Sequence, residues 1–337
     1  MTGLAIGLPE VIAAVMGAAL NAYVLTGGAD FGGGVWDLLA SGPRRDRQRA
    51  LVAESIAPIW EANHVWLIVV VVVLFTAFPP AFAMLGTVLH IPLTVMLAGI
   101  VLRGSAFVFR SYGTHARSRW GTTFAVASIV TPLQLGAVVG AIATGAVADA
   151  AARIGSGSFA EIFVAPWAAA FPVSTGFFAL ALFAFLAATY LTVDAEDDAL
   201  RDDFRARALA AAATVFVCAA AALMFARSAA PRLAIGVAGA LLIQVATGVA
   251  AVTAIASLWR RRFRAARVAA AAQVSLILWG WLLAQYPYVV PTALSIRDAA
   301  APAVTLRLLA VGLVLGGAVL LPSLSYLLRI VKQKGPT

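Results

Sequence analysis

Apolar residues do not alternate with polar ones along this chain; they run together. Nearly charge-free stretches recur from Glu10 to Leu328, each long enough to cross about 30 Å of hydrocarbon as a helix. The pattern predicts nine spans, near Glu10–Val35, Ile56–Phe78, Pro80–Phe107, Thr122–Ala146, Ile162–Val193, Leu209–Ala226, Leu233–Leu258, Val268–Ala284 and Val304–Leu328. Backbone groups in lipid need internal partners, and the short alternating segments of a barrel are missing. The fold class is therefore an all-α polytopic membrane protein. The third span is expected to leave one end in the interface, and the fifth to be tilted or broken near Pro172. Residues 1–337 read as one integral membrane domain, because no polar segment is long enough for a soluble one. No basic region precedes the first span, which reads as retained and not as a cleaved leader.

Composition sharpens this. Hydrophobic residues make up 62% of the chain and charged ones 12%, with a mean hydropathy of +0.95, outside the soluble globular range. The net charge of +9 could suggest nucleic acid, but the arginines sit in short loops between spans, which excludes that class. Arg44, Arg45, Arg47 and Arg49 follow the first span, and Arg110, Arg117 and Arg119 the third. Arg201, Arg205 and Arg207 follow the fifth, and Arg260, Arg261, Arg262, Arg264 and Arg267 the seventh; the tail adds Arg329, Lys332 and Lys334. The other connections hold only Arg153, Arg227, Arg232 and Arg297. The positive-inside rule then puts the N-terminus outside and the C-terminus in the cytoplasm. The acidic stretch Asp194–Asp198 reads as a solvated helix start with pairs such as Asp197 with Arg201, and Gln285–Pro291 as an interfacial re-entry or aromatic belt. The single cysteine, Cys218, excludes an intrachain disulfide, an iron–sulfur cluster and a thiolate zinc site.

Candidate chemistry is concentrated in the first two spans. Asp30 lies among Gly27, Gly28, Gly32, Gly33 and Gly34, which allow either close approach of another helix or local unwinding. The second span is expected to start at Ser55, with Pro58 in its first turn. Glu61 then lies roughly 9 Å along the axis, level with Asp30, with Glu54 on its face and Trp60, Asn63 and His64 beside it. Ionisable groups at such depth are functional-site hypotheses. One reading is a proton-access chain through Asp30, Glu61 and His64; the other is a polar staple in which acid, Asn63 and His64 satisfy one another. Arg103, near the end of the third span, pairs with Asp30 or Glu61, or snorkels to the interface. His64 and His90 could both reach mid-membrane as haem ligands, though their depths are not clearly matched, while His115 reads as a loop residue. Trp120, Trp167, Trp259, Trp279 and Trp281 read as belt anchors. No metal site and no catalytic residue is assigned.

The ordered runs T-G-G-A-D-F-G-G-G from Thr26, S-I-A-P-I-W-E-A-N-H-V-W from Ser55, L-F-T-A-F-P, and L-R-G-S-A-F-V-F-R resemble subunit II of the cytochrome bd-type quinol oxidases. Length and span count agree with that family over nearly the whole chain; the motifs are concentrated in residues 20–110, and T-Y-L-T from Thr189 is also similar. The resemblance implies two four-helix bundles, about 10–146 and 162–284, plus one peripheral helix at about 304–328. It implies a haem-bearing subunit I as partner, holding haems b and d, oxidising quinol and reducing O2 to water. This chain would bind no haem directly and would support haem assembly and cytoplasmic proton uptake through Asp30 and Glu61. It would lie in a bacterial-type cytoplasmic membrane, in contact with lipid. Some members hold a structural quinone, and the resemblance leaves open a small accessory subunit. Gly27 and Val108 depart from the pattern, since many members carry acids there. The alternatives are a stand-alone proton- or cation-coupled secondary transporter, with Asp30 and Glu61 at glycine-broken helices, and a scaffold without chemistry.

Overall fold

The computed structural model describes residues 6–56, 60–112, 117–230 and 241–333, with the side chains of these except 56, 60–62, 110–112, 117–118 and 327–333. Pro58, His115, Arg232 and Lys334, and the side chains of Trp60, Glu61, Arg110, Arg117, Arg329 and Lys332, lie outside the described residues. Helices α1 (Leu8–Leu38), α2 (Arg45–Ile56), α3 (Trp60–Ala77), α4 (Pro79–Val88), α5 (His90–Tyr112) and α6 (Arg117–Thr144) form the first half. Short helices α7 (Ala146–Ala152), α8 (Phe159–Phe163) and α9 (Ala165–Ala168) lead into α10 (Ala170–Asp194). Then come α11 (Asp198–Ala229), α12 (Leu241–Trp259), α13 (Phe263–Gln285), a hairpin of β1 (Tyr288–Val290) and β2 (Leu294–Ser295), and α14 (Ala303–Gln333). Among the described residues eight helices are individually long and apolar enough to cross a bilayer, and nine spans result if bent α3–α4 counts as one.

Packing centres on α1 and α10. Helix α10 lies against α1, α6, α11 and α13; α1 also packs on α3 and α6, α5 on α6, and α12 on α13. Close approach explains the glycines. A Cβ on Gly32 would stand 2.0 Å from the carbonyl oxygen of Phe183 in α10, and one on Gly34 2.1 Å from Ser128 Oγ in α6. Helix α1 runs unbroken through them to Leu38, so close approach is realised and unwinding is not. Trp36 Nε1 then donates to Ala184 O at 2.7 Å, fastening α1 to α10. Among the described residues helix α14 packs mainly on α3 and α1, and Leu308, Val311, Leu315 and Val319 on it are exposed.

Three expectations are corrected. First, the arginine-rich connection after α1 is not a bare loop but helix α2, and Ser55 lies in its last turn instead of capping the second span. Amphipathic docking explains the helix: Leu51 and Val52 are buried, while Arg44 makes a two-pronged pair with Asp203 of α11 at 2.6 and 2.8 Å. Gln48 donates to the same carboxylate at 2.8 Å and accepts from Arg207 at 2.7 Å. Described α3 begins at Trp60, so the Glu61 backbone lies in its first turn, and exposed Glu54 belongs to a different helix.

Second, the span expected at Pro80–Phe107 begins at His90. Prolines at the first two positions of α4 lack the N–H that would continue α3, and α4 turns away by 117°. Exposed His90 opens α5, its Nδ1 2.9 Å from Thr87 O and its ring against Phe163; it is not at mid-membrane depth. The fifth stretch is likewise broken, at Val164 and Ala169, a few residues before Pro172. Third, Asp197 does not pair with Arg201. It N-caps α11 by accepting the Leu200 N–H at 2.8 Å and meets Arg47 of α2, while Arg201 pairs with Asp198 at 3.0 Å.

On the face away from the arginines, α4, α7 and the hairpin share an apolar layer through Phe78, Leu85, Val147, Val290 and Ile296. The segment expected as a re-entry or belt supplies the first strand of that hairpin, and Ala301 N–H closes the layer by donating to Ala77 O at 2.8 Å.

Candidate functional site

Four helices of the first half place polar groups at one buried point. Asp30 comes from the glycine-rich part of α1 and is 0% exposed; Arg103 comes from α5 and is 2% exposed. Arg103 Nη1 donates to Asp30 Oδ2 at 2.8 Å, and Nη2 donates to the Asp30 backbone oxygen at 2.8 Å. Nη2 also lies 2.7 Å from Oδ1, a contact that is ionic and out of line for a hydrogen bond, leaving Oδ1 without a donor among the described residues. Asn63 of α3 donates from Nδ2 to Oδ2 at 2.9 Å. Arg103 Nε donates to Ser128 Oγ of α6 at 2.9 Å, and that hydroxyl donates to Phe124 O at 2.7 Å.

The guanidinium is also sandwiched, 5.0 Å from the Phe31 ring centre and 4.6 Å from that of Phe124. Such rings shield the pair from water and add cation–π attraction that grows when the cation is desolvated. A buried pair requires good geometry and satisfied lone pairs to offset its desolvation. Here the arginine gives hydrogen bonds from all three nitrogens, so that condition is largely met. The cluster has the geometry of a fastening between α1, α3, α5 and α6. Both side chains of this ion pair are buried, at 3% and 0% exposed.

Of the residues singled out in the sequence, the structure brings together Asp30, Asn63 and Arg103. His64 follows Asn63 on α3 and is half-buried; the side chains of Trp60 and Glu61 lie outside the described residues. Gly27 is buried against Tyr23, whose ring a Cβ would meet at 3.3 Å, and Val108 is exposed on α5. Sequence reasoning missed Ser128, Phe31 and Phe124. A serine and two phenylalanines in apolar helices carry no mark of their own; only the need of a buried guanidinium for acceptors could have pointed to Ser128. Tyr23 Oη, Asn63 Oδ1, Thr131 Oγ1 and Gln134 Oε1 are buried without a partner among the described residues, so polar character extends beyond the ion pair.

Outside the spans the charges are held in fixed pairs. The backbone N–H of Leu200 lowers the Asp197 carboxyl from its ordinary value, burial opposes this, and Arg47 adds to the lowering. Hydrogen bonding to Asp203 raises Arg44, and on the opposite face Glu10 raises Arg297, bonded at 2.6 Å.

Comparisons with known proteins bear on this arrangement. The chain is 31% identical over 133 residues to cytochrome bd-I ubiquinol oxidase subunit 2 of Escherichia coli K12, covering 39% of this chain and 35% of that one. It is 30% identical over 125 residues to cytochrome bd ubiquinol oxidase subunit 2 of Bacillus subtilis, covering 36% of each. The matched stretch thus spans about a third of the length of these curated relatives. The fold is similar to a chain of the bd oxidase from Geobacillus thermodenitrificans, with a TM-score of 0.79, 21% identity and coverage of 98% of this chain and 100% of that one. The sequence profile of the cytochrome bd terminal oxidase subunit II family matches residues 8–331, so the chain belongs to that family.

Proposed function

We propose that this chain is the haem-free partner subunit of a bd-type quinol:oxygen oxidoreductase in an aerobic respiratory chain. It pairs with a haem-bearing subunit I that holds haems b and d, oxidises quinol and reduces O2 to water. The N-terminus faces outward and the arginine-rich face, with the C-terminus, is cytoplasmic. Family membership over residues 8–331 carries this reading, supported by the arginine asymmetry between connections. On this reading the helices form two groups, α1, α3, α5 and α6 in one and α10 to α13 in the other, with α14 peripheral.

Proton access is assigned to Glu61, His64 and Asp30, with Glu61 in the first turn of described α3 and level with Asp30. One observation favours a second role for Asp30. Its Oδ2 already accepts from both Arg103 and Asn63, and it is fully buried. That geometry suits a fastening that holds the bundle in shape for its partner's haem sites.

Glu61→Gln and Asp30→Asn in the intact complex separate the roles, with haem content and oxygen consumption measured on the same preparations. Glu61→Gln should slow turnover while haem content holds; Asp30→Asn should lose haem. Unchanged oxygen consumption in Glu61→Gln at full haem content removes the proton role.

A further inference from the structure

The arginine-rich face contains one feature that the ion pairs do not account for. Between the end of α10, the start of α11 and the α12–α13 turn lies a cavity of about 520 Å³, lined by Thr192, Arg201, Arg261, Arg262, Phe263 and Arg264 among others. No acid lines it among the described residues. Two of its arginines are engaged at the rim: Arg201 with Asp198 and the Ala195 carbonyl at 3.0 and 2.9 Å, and Arg261 with Asp202 at 2.8 Å. Arg262 and Arg264 have no ion-pair partner among the described residues. A cavity walled by cations, with no anion of its own, is short of negative charge.

The backbone adds to this. Arg261 adopts φ +59°, the left-handed region that side chains other than glycine's occupy at a cost. That residue makes the turn tight, and Arg262 N–H bonds back to Ser257 O at 2.8 Å. Helix α13 starts at once, with no side-chain cap on its first turn. Phe263 and Arg264, its first two residues, line the cavity, so uncapped backbone N–H groups and the positive end of a 23-residue helix adjoin the arginines. Fork-shaped guanidinium groups and helix-start amides both suit phosphate oxygens.

The depth of the site suggests the source of that phosphate. Trp259, 70% exposed, directly precedes the turn, and tryptophan marks the headgroup level of a bilayer. Leading up to it along α12, Leu242, Val245, Val249 and Val252 are exposed at helical spacing. A molecule with a phosphate at the turn and acyl chains along such a helix satisfies both surfaces. We propose that the α12–α13 turn is a binding site for a phosphate-bearing anion, filled by the headgroup of an anionic phospholipid.

The test uses the intact complex, with phosphatidylglycerol as probe against phosphatidylcholine. Phosphatidylglycerol retained per complex is measured after transfer from mixed bilayers into detergent, and its affinity by titration. Wild type should retain phosphatidylglycerol selectively. Arg262→Gln/Arg264→Gln should bind it about thirtyfold more weakly, at roughly 1 kcal/mol for each arginine. Arg262→Lys/Arg264→Lys, which keeps the charge, should stay within a few fold of wild type. Arg153→Gln/Arg227→Gln makes the same charge change at the other face and should change nothing. Where the glutamine pair fails to assemble, a single Arg264→Gln gives the same comparison at about fivefold. Displacement by millimolar inorganic phosphate, with no preference for the lipid, would confirm the phosphate chemistry and overturn the lipid source. Equal retention in wild type and the glutamine variants, or an equal loss in the opposite-face control, would overturn the site.

Discussion

Replacing Arg103 by methionine keeps the apolar stem of the side chain and removes the charge. The loss is larger than that of one contact. Two hydrogen bonds to Asp30 disappear, with the bond to Ser128 and the stacking between Phe31 and Phe124. More costly is what remains, a carboxylate at 0% exposure whose cation has gone. Removing one partner of a buried pair costs about 3–5 kcal/mol, mostly through the uncompensated charge left behind. Asp30→Asn strands the arginine and should cost a comparable amount. The double variant leaves no stranded charge, so it should be more stable than the sum of the single losses by about 1–3 kcal/mol. Unfolding of the purified complex by heat or denaturant, run on all four proteins, yields this coupling. Additivity within about 0.5 kcal/mol would refute the claim that the two side chains act as one fastening.

Other expectations follow from contacts elsewhere. Gly32→Ala should destabilise the complex by about 1–3 kcal/mol, because the new methyl must displace the Phe183 carbonyl of α10. Gly86→Ala, with nothing within 4 Å of the added carbon, should cost nothing in the same melting experiment. The Asp197 carboxyl is lowered in the folded protein, so its contribution is present above the unfolded value of about 3.9 and fades as pH falls through the folded one. Asp197→Asn keeps a cap acceptor but cannot titrate, and its stability should be less sensitive to acid below about pH 4 than that of wild type; identical acid profiles would count against the pairing.

Much of the fold was legible because hydrocarbon imposes a single length on every span. What that rule could not supply was the breaks. Phe78, Pro79 and Leu89 lie in sequence that is apolar on both sides, so hydropathy alone passes from α3 through α4 to α5 without a mark. Pro79 and Pro80 signalled a turn, yet not that they open a separate ten-residue helix at 117°. Helix α2 was hidden for the opposite reason: the four arginines Arg44, Arg45, Arg47 and Arg49 and nearby acids read as solvated loop, whereas the helix is specified by partners on α11, distant in sequence. Asp30 and Arg103 were visible because each is a lone charge in an apolar run. Their partner Ser128 was not, since serine crosses apolar helices at little cost by bonding to its own backbone, as it does here to Phe124.

The central claim is that this chain works as the second subunit of a bd-type oxidase. Gentle purification of the tagged chain from its native membrane tests it most directly, with partner identity and a reduced-minus-oxidised haem spectrum recorded on the same sample. The account predicts a second polytopic chain in equal amount, with b- and d-type haem bands. A chain that runs alone and without haem, yet remains folded, would contradict it and bring a proton- or cation-coupled transporter forward in its place.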